Sequence, residues 1–286
     1  MHHVSTFTDR ALTPHPMYAG HSQGYTQGVL VDHTSGSVHT GLSIAQLAAG
    51  GTLSPHVHSY EESFYVLSGQ AVLSIKDRSY LIGSGDYGCL KVGTPHAWRA
   101  VGTTPVRWLQ MAAPQPKPSG MERDTFFSRS TNTPTEARPL DLNDLGGNLL
   151  SHFDVSQIPA GEEGRIVSGG LKGVFLKWLV DEAFGAIHHR LLFIEYLPGV
   201  GIGLHDHTYE EAYFILSGEV EAILDGTRYL AKAGDVLWTS TGCMHAFTNI
   251  SREPVRWLET FSPQPPRENV FRFMSEWDQK AKELEG

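Results

Sequence analysis

Basic charge is scarce in this sequence of 286 residues. Lysine and arginine number 22 against 31 aspartates and glutamates, which leaves a net charge of −9 with histidine neutral. Proteins that bind nucleic acid or anionic membranes present a basic face to the phosphates. We therefore expect neither nucleic acid nor a membrane among the partners of this chain.

Cysteine and long apolar runs are scarce as well. The two cysteines, Cys89 and Cys243, suggest no disulfide framework. No apolar run approaches the roughly 20 residues of a membrane-spanning helix. The first residues, "MHHVSTFTDRALTPHP", lack the basic and apolar regions of a secretory signal. These absences favour a cytoplasmic location.

The sequence does contain a copy of itself. "HVHSYEESFYVLSG" begins at His56 and "HDHTYEEAYFILSG" begins at His205, 149 residues later, and "PVRWL" recurs at the same distance. A period of this length is domain-sized, far above the roughly 20–50 residues of solenoid and propeller repeats. The duplication predicts two similar domains, at 1–117 and 151–286, joined by a linker over 118–150.

Strand-forming runs dominate both halves. Short segments rich in Val, Ile, Leu, Tyr and Phe, such as "SFYVLSG" and "EVEAIL", are separated by turn residues drawn from 30 glycines and 16 prolines. This pattern predicts an all-β barrel or sandwich in each half. The tail differs, because Val270, Met274, Trp277, Ala281 and Leu284 recur at helical spacing. It predicts a short C-terminal helix that packs on a barrel or on a partner subunit.

Each half carries three histidines and one glutamate at matching spacing. These residues are His56, His58, Glu62 and His96 in the first half, and His205, His207, Glu211 and His245 in the second. Histidines two apart on a strand point to the same face. Three imidazoles and one carboxylate suit a divalent transition metal such as Fe(II), Mn(II), Zn(II) or Ni(II). Because the spacing is kept while most other residues differ, we predict one such metal per domain.

These ligand candidates lie within longer motifs. Residues 50–69 and 199–218 follow G-x5-H-x-H-x3-E-x6-G, which resembles the first cupin motif, and residues 85–100 and 234–249 resemble the second. The second motif departs at Lys91 and Ser240, which replace a proline, and at Ala100, which replaces an asparagine. No candidate ligand is affected. The resemblance implies a bicupin, with two tandem double-stranded β-helix (jelly-roll) barrels and a metal site inside each.

The two expected sites differ in the side chains beside the ligands. The ligand face carries Phe64 and Trp98 in the first half and Tyr213, Phe247 and Asn249 in the second. We predict that Phe64, Trp98, Phe247 and Asn249 line substrate pockets and that Tyr213 is a catalytic group for proton transfer. The alternative is that Tyr213 and Asn249 satisfy buried backbone groups. The second domain is the better candidate for chemistry.

Glu61 and Glu210 directly precede the two ligand glutamates. Alternation along a strand turns their side chains away from the metal. The sequence therefore predicts a surface position for both.

A cupin resemblance does not fix a reaction, because one metal cage serves many chemistries. The leading hypothesis is an Fe(II) dioxygenase that acts on a small aromatic or oxygenated organic acid, since aromatic walls suit a planar substrate. One alternative is a non-oxidative hydrolase, isomerase or decarboxylase that uses Mn(II) or Zn(II) on a small polar metabolite. The other is a non-catalytic protein that binds a metal or a small molecule. The predicted C-terminal helix is compatible with a homodimer.

Overall fold

The structure, a computed structural model, describes residues 1–118, 120–128, 136–141, 149–159, 166–167, 171–264 and 272–285. The strands up to residue 152 are β1 (His2–Thr6), β2 (Ser22–Val31), β3 (Gly41–His58), β4 (Glu61–Ser68), β5 (Gln70–Ile75), β6 (Arg78–Gly83), β7 (Asp86–Leu90), β8 (His96–Val101), β9 (Val106–Ala113), β10 (Thr125–Phe127), β11 (Arg138–Pro139) and β12 (Leu150–His152).

The strands after residue 152 are β13 (Ile166–Val167), β14 (Leu171–Lys172), β15 (Val174–Val180), β16 (Arg190–Tyr196), β17 (Gly201–Asp206), β18 (Glu210–Ser217), β19 (Glu219–Leu224), β20 (Thr227–Lys232), β21 (Asp235–Thr239), β22 (His245–Thr248), β23 (Val255–Ser262) and β24 (Arg272–Phe273). A single α-helix among the described residues, α1, spans Met274–Glu285, and short 3-10 segments lie at Asp9–Ala11, Pro16–Tyr18, His33–Ser35 and Val155–Gln157.

The strands form two barrels. The first has the order β11-β6-β5-β8-β3-β9-β4-β7-β12, with β2 and β10 also paired to β3. The second consists of a sheet with the order β1-β21-β18-β23-β16-β15 and a sheet with the order β20-β19-β22-β17-β24. The predicted all-β fold, with two jelly-roll barrels and a short C-terminal helix, is confirmed.

One strand of the first barrel corresponds to two strands of the second. β3 runs without a break for 18 residues. The matching stretch of the second barrel contains Pro198, and there β16 ends at Tyr196 and β17 begins at Gly201. Pro198 lies within this break, and proline has no N–H to donate to a sheet.

The barrels exchange strands. β1 pairs with β21 of the second barrel, where Val4 lies opposite Leu237. β12 pairs in turn with β7 of the first barrel, where Leu150 lies opposite Gly88. The second barrel is therefore not one continuous stretch of chain, because β1 precedes all the strands of the first barrel, β2 to β12. The domain boundaries at 117 and 151 remain a prediction.

An apolar cluster lies between the two barrel interiors and draws on both. Ile44 and Leu109 of the first barrel meet Phe193 and Trp238 of the second, and each of the four is at most 1% exposed. Burial of this much apolar surface favours a fixed arrangement of the barrels, because its loss would expose the cluster to water.

Glu61 and Glu210 also lie between the barrels. Their side chains are 1% and 3% exposed, so the predicted surface position is wrong. Both side chains do point away from the predicted metal ligands, and they contact residues of the other barrel. What the sequence could not show is that the other barrel covers this face.

The described parts of the linker lie against the first barrel. β10 pairs with β3 in antiparallel fashion, which places Phe127 opposite His56. β11 pairs with β6. Phe126 is 52% exposed.

Helix α1 forms where the sequence predicts it. Its side chains at Met274 and Leu284 are 36% and 86% exposed in the single chain. Val270 and the side chain of Trp277 lie outside the described residues. No helix in the described part of the chain is long and apolar enough to cross a membrane.

Candidate metal centres

The predicted histidines converge inside each barrel. His56, His58 and His96 offer ring nitrogens that all lie within 4.8 Å of one another, and so do His205, His207 and His245. The first set stands on β3 and β8, where His56 is directly opposite His96, and in the second barrel His205 is directly opposite His245. All six histidines are at most 4% exposed.

Backbone carbonyls orient most of these rings through Nδ1. His56 and His96 donate to the carbonyls of Ser54 and Thr94 at 2.7 and 3.0 Å. In the second barrel the acceptors are the carbonyls of Gly203, Tyr209 and Cys243, at 2.7, 2.9 and 2.9 Å from His205, His207 and His245. A carbonyl can only accept, so Nδ1 carries the proton and Nε2 is left as the ligand atom. His58 Nδ1 instead lies 3.0 Å from the hydroxyl of Thr125.

One glutamate lies beside each set of histidines. An Oε2 atom of Glu62 is 3.2 Å from His58 Nε2 and accepts a hydrogen bond of 2.7 Å from the Gln110 amide. In the second barrel Glu211 Oε2 lies 2.7 Å from His207 Nε2 and 3.3 Å from His245 Nε2. The structure therefore brings together the four residues predicted as ligands in each half.

Burial sets the charge of the histidines. Loss of water around the rings disfavours the imidazolium and lowers the pKa of His96 and of His205 to about 4. The same cause holds the pKa of His56 well below its usual value. These rings are neutral at pH 7, which is the form that binds a metal.

The pKa values of Glu211 and His245 are shifted in opposite directions. Burial alone would raise the pKa of Glu211, but the neighbouring His207 and His245 outweigh burial and hold that pKa well below its usual range. Burial alone would lower the pKa of His245, but the hydrogen bond and charge of Glu211 outweigh it and raise the pKa. Glu211 is therefore ionised, which adds the negative charge that a divalent cation requires.

The donor set fits a divalent transition metal. In the first cluster His96 Nε2 is fully enclosed and has no hydrogen-bond partner. Leaving such an atom unsatisfied costs about 1–3 kcal/mol, which a metal–nitrogen bond would offset. Neutral imidazole nitrogens with one carboxylate match Mn(II), Fe(II), Ni(II) or Zn(II) in both clusters.

A third group of potential ligands, His2, Asp225 and Cys243, fails the same test. Both ring nitrogens of His2 have protein neighbours, with Asp225 at 3.3 Å and the Tyr229 hydroxyl at 2.9 Å. The Asp225 carboxylate also pairs with the amine of Met1 at 2.9 Å. Its polar atoms are satisfied by the protein, so this group is an ion-pair network.

The predicted aromatic residues pack against one another inside each barrel. Phe64 packs edge-on against Trp98, with ring centroids 5.0 Å apart, and Trp98 stacks on Trp108 at 4.4 Å. In the second barrel Tyr213 and Phe247 are 4.7 Å apart. The Tyr213 hydroxyl donates a short hydrogen bond to Glu211 Oε2.

Asn249 holds backbone instead of facing the ligands. Its amide donates to the carbonyls of Tyr196 and Glu253 at 2.9 and 2.8 Å and accepts a hydrogen bond from Ser251 N–H. These contacts match the structural alternative stated for this residue.

Sequence reasoning missed Glu259. This buried residue lies opposite Tyr213 on the neighbouring strand and accepts a hydrogen bond of 2.8 Å from the Trp257 indole. Burial, and next the charge of Glu211, raise its pKa well above the usual value. Glu259 corresponds to Gln110 in the repeat. This replacement of an amide by a carboxyl group is visible when the two halves of the sequence are compared.

Two phenylalanines from the short edge strands were missed as well. Phe127 on β10 lies 5.7 Å from the ring of His56, and Phe273 on β24 lies 5.5 Å from that of His205. The two segments are not in register in the repeat, so sequence comparison of the halves does not reveal them. Each barrel thus covers its His-x-His strand with an aromatic ring.

Family comparison agrees with this geometry. The family described as Cupin domain matches residues 43–111 and 192–261, and each match spans all four ligand candidates of its barrel. The chain is a bicupin. No curated protein matches the bicupin.

Solved structures of oxalate decarboxylases are similar to this bicupin. The Lactobacillus farciminis oxalate decarboxylase–formate complex shares 16% identity at a TM-score of 0.64, over 97% of this chain and 90% of that chain. Bacillus subtilis oxalate decarboxylase at pH 4.6 shares 19% identity at a TM-score of 0.62, over 96% and 78%. A further structure of the Bacillus subtilis enzyme, from work on its Mn(II) centres, shares 18% at 0.60, over 89% and 76%. At such identities the likeness shows the fold alone.

Proposed function

We propose that this bicupin is a metal-dependent enzyme that removes the carboxylate of a small organic acid without using oxygen, and that the reaction takes place in the second barrel. The observation that carries the proposal is a pair of proton-bearing side chains beside the second cluster. Tyr213 bonds to the ligand Glu211, and the buried Glu259 lies opposite Tyr213. The first barrel has Phe64 and Gln110 at these positions.

A divalent metal held by the second cluster, with Mn(II) as first choice and Fe(II), Zn(II) or Ni(II) as alternatives, would supply a Lewis acid for the substrate carboxylate. Tyr213 orients Glu211 by its hydrogen bond. Glu259, whose pKa is raised well above its usual value by burial and then by the charge of Glu211, is the group that donates a proton to the carbon that loses carbon dioxide. Carbon dioxide leaves, hydrogen takes its place, and Glu259 is reprotonated from water.

The walls restrict the substrate class. Where the structure describes the side chain, no lysine or arginine belongs to the buried set. The ligand carboxylate and the aromatic rings of Tyr213, Phe247 and Phe273 surround the cluster instead. Such a site suits a monocarboxylic acid with an apolar or planar remainder, because a second carboxylate would be buried without a cation.

The test is simultaneous mass-spectrometric recording of carbon dioxide and oxygen with the Mn(II)-loaded chain and a panel of aliphatic and aromatic monocarboxylic acids. Carbon dioxide release without oxygen uptake supports the proposal. Absence of turnover over the whole panel, with both clusters loaded, would favour a non-catalytic metal or small-molecule binder.

A dioxygenase acting on a small aromatic acid is the second candidate. The aromatic lining favours it, since Tyr213, Phe247 and Phe273 offer flat surfaces to a ring. Oxygen uptake in fixed ratio to substrate, with the Fe(II)-loaded chain, would select this reaction over decarboxylation.

A further inference from the structure

Each barrel inserts one glutamate into a loop of the other barrel. The Glu61 carboxylate of the first barrel accepts hydrogen bonds from the backbone N–H groups of Ile187 and His188, at 3.0 and 3.1 Å. Nδ1 of His189 lies 3.0 Å from the same carboxylate, and Nε2 of that ring contacts the Ser63 hydroxyl at 2.6 Å. A carboxylate of the first barrel thereby fixes the 187–189 loop of the second.

The reverse contact has the same form. The Glu210 carboxylate of the second barrel accepts from the N–H groups of Val38 and Thr40 at 2.8 and 3.1 Å and from the Ser37 hydroxyl at 2.6 Å. Val38 and Ile187 are 149 residues apart, so the two loops hold the same position in the repeat. Buried carboxylates are tolerated because several donors satisfy each one, and removing the negative charge would weaken every bond in the set.

These contacts connect the two metal centres. Glu61 adjoins the ligand Glu62, and Glu210 adjoins the ligand Glu211. The 187–189 loop leads into β16, whose first residue, Arg190, lies opposite Phe261, and Phe261 in turn lies opposite Glu211.

The 37–40 loop leads into β3 in the same way. Gly41, the first residue of β3, lies opposite Ala112, and Ala112 lies opposite Glu62. Two connections therefore link the clusters. One runs from Glu61 through the 187–189 loop to Glu211, and the other runs from Glu210 through the 37–40 loop to Glu62. Fixing the predicted ligand Glu62 also restrains the neighbouring Glu61, and through it the loop that leads to Glu211. Fixing Glu211 restrains Glu210 and the loop that leads to Glu62 in the same way.

We propose that Glu61 and Glu210 are positioning residues that couple the two metal centres, so that a divalent ion in one barrel raises the affinity of the other. This inference rests on metal binding by both clusters, which is part of the proposed function, and is independent of the reaction. Neither glutamate touches the metal.

The test is Mn(II) binding to the full chain after chelation, with free Mn(II) measured by electron paramagnetic resonance. His207→Ala removes the second centre and gives the affinity of the first centre next to an empty partner. The wild-type protein gives the affinity next to a filled partner. We expect the filled partner to tighten binding by about fivefold or more, the lower end of common coupling factors. In Glu61→Gln and in Glu210→Gln the ratio should fall below about twofold.

Glu195→Gln is the matched control. Glu195 is buried and bonds Arg256 at 2.7 Å, and the first barrel already has Gln46 in the equivalent position. This variant should keep the coupling. Thermal melting of the metal-free variants checks their fold, and Ser37→Ala, which removes one bond to Glu210 at no change of charge, replaces a variant that does not fold.

Two ions that bind the wild-type protein independently would overturn the coupling while leaving the metal centres in place. Coupling that persists in both glutamine variants would overturn the role of Glu61 and Glu210. A chain that binds no Mn(II) would overturn the coupling and the proposed function together.

Discussion

Two proton-bearing side chains distinguish the second barrel from the first, and one of them is a carboxyl group. Glu259 occupies the position that Gln110 has in the first barrel. Glu259→Gln keeps the size of the side chain and removes the proton. We expect kcat for carbon dioxide release to fall by about a hundredfold to ten-thousandfold, with the metal content of the protein unchanged. Glu195→Gln makes the same substitution at a buried glutamate outside both clusters, so it is the control and should leave kcat unaltered. A wild-type rate in Glu259→Gln would show that the proton comes from elsewhere.

The buried histidines predict how the metal-free protein responds to pH. The pKa of His56, of His96 and of His205 is lower in the folded chain than the usual 6.5, to about 4 for the last two. The unfolded chain therefore binds more protons between pH 6.5 and 4, and the free energy of unfolding falls as the pH is lowered through that window. His245 and Glu259, each with a raised pKa, act in the opposite sense. The melting temperature of the metal-free chain, measured from pH 7 to 4, should drop, and His205→Gln should flatten the drop. A constant melting temperature would contradict the buried neutral rings.

Strand β1 precedes the first barrel in sequence but belongs to the second barrel. It pairs with β21, and Thr239 of β21 lies opposite the ligand Glu211. Deletion of residues 1–6 should therefore speed amide hydrogen exchange in β21 of the second barrel. The deleted residues come before the first barrel in the sequence. β7 is the internal control, because β12 still covers it. Unchanged exchange in β21 would mean that the strand contributes nothing to the second barrel.

The elements also show what the sequence could and could not foretell. Strand alternation placed His56 and His58 on one face, and the repeat identified His205 and His207 as their counterparts, because these are local properties of a strand. The burial of Glu61 and Glu210 depends on the face of a different barrel. The exchange of β1 and β12 and the phenylalanines of β10 and β24 depend on pairings between distant segments. No local pattern encodes such partners. Glu259 was within reach, since comparison of the two halves sets it against Gln110.

At the scale of the whole molecule, two barrels share one apolar interface, and each contributes a strand and a glutamate to the other. Ile44 of the first barrel and Trp238 of the second lie in this interface and have no exposed surface. The two copies differ beside their candidate metal centres, because the first barrel has Phe64 and Gln110 where the second has Tyr213 and Glu259. The two sites can then differ in chemistry while the fold depends on both.

The most direct test of this description is the metal content of the purified chain and of its single-cluster variants, measured by plasma mass spectrometry after reconstitution with Mn(II). We expect two ions per wild-type chain, one in His56→Ala, one in His205→Ala and close to none in the double variant. Circular dichroism of each variant confirms that the barrels remain folded. A wild-type chain that takes up no metal, or single variants that still hold two ions, would contradict the assignment of the two clusters as metal centres.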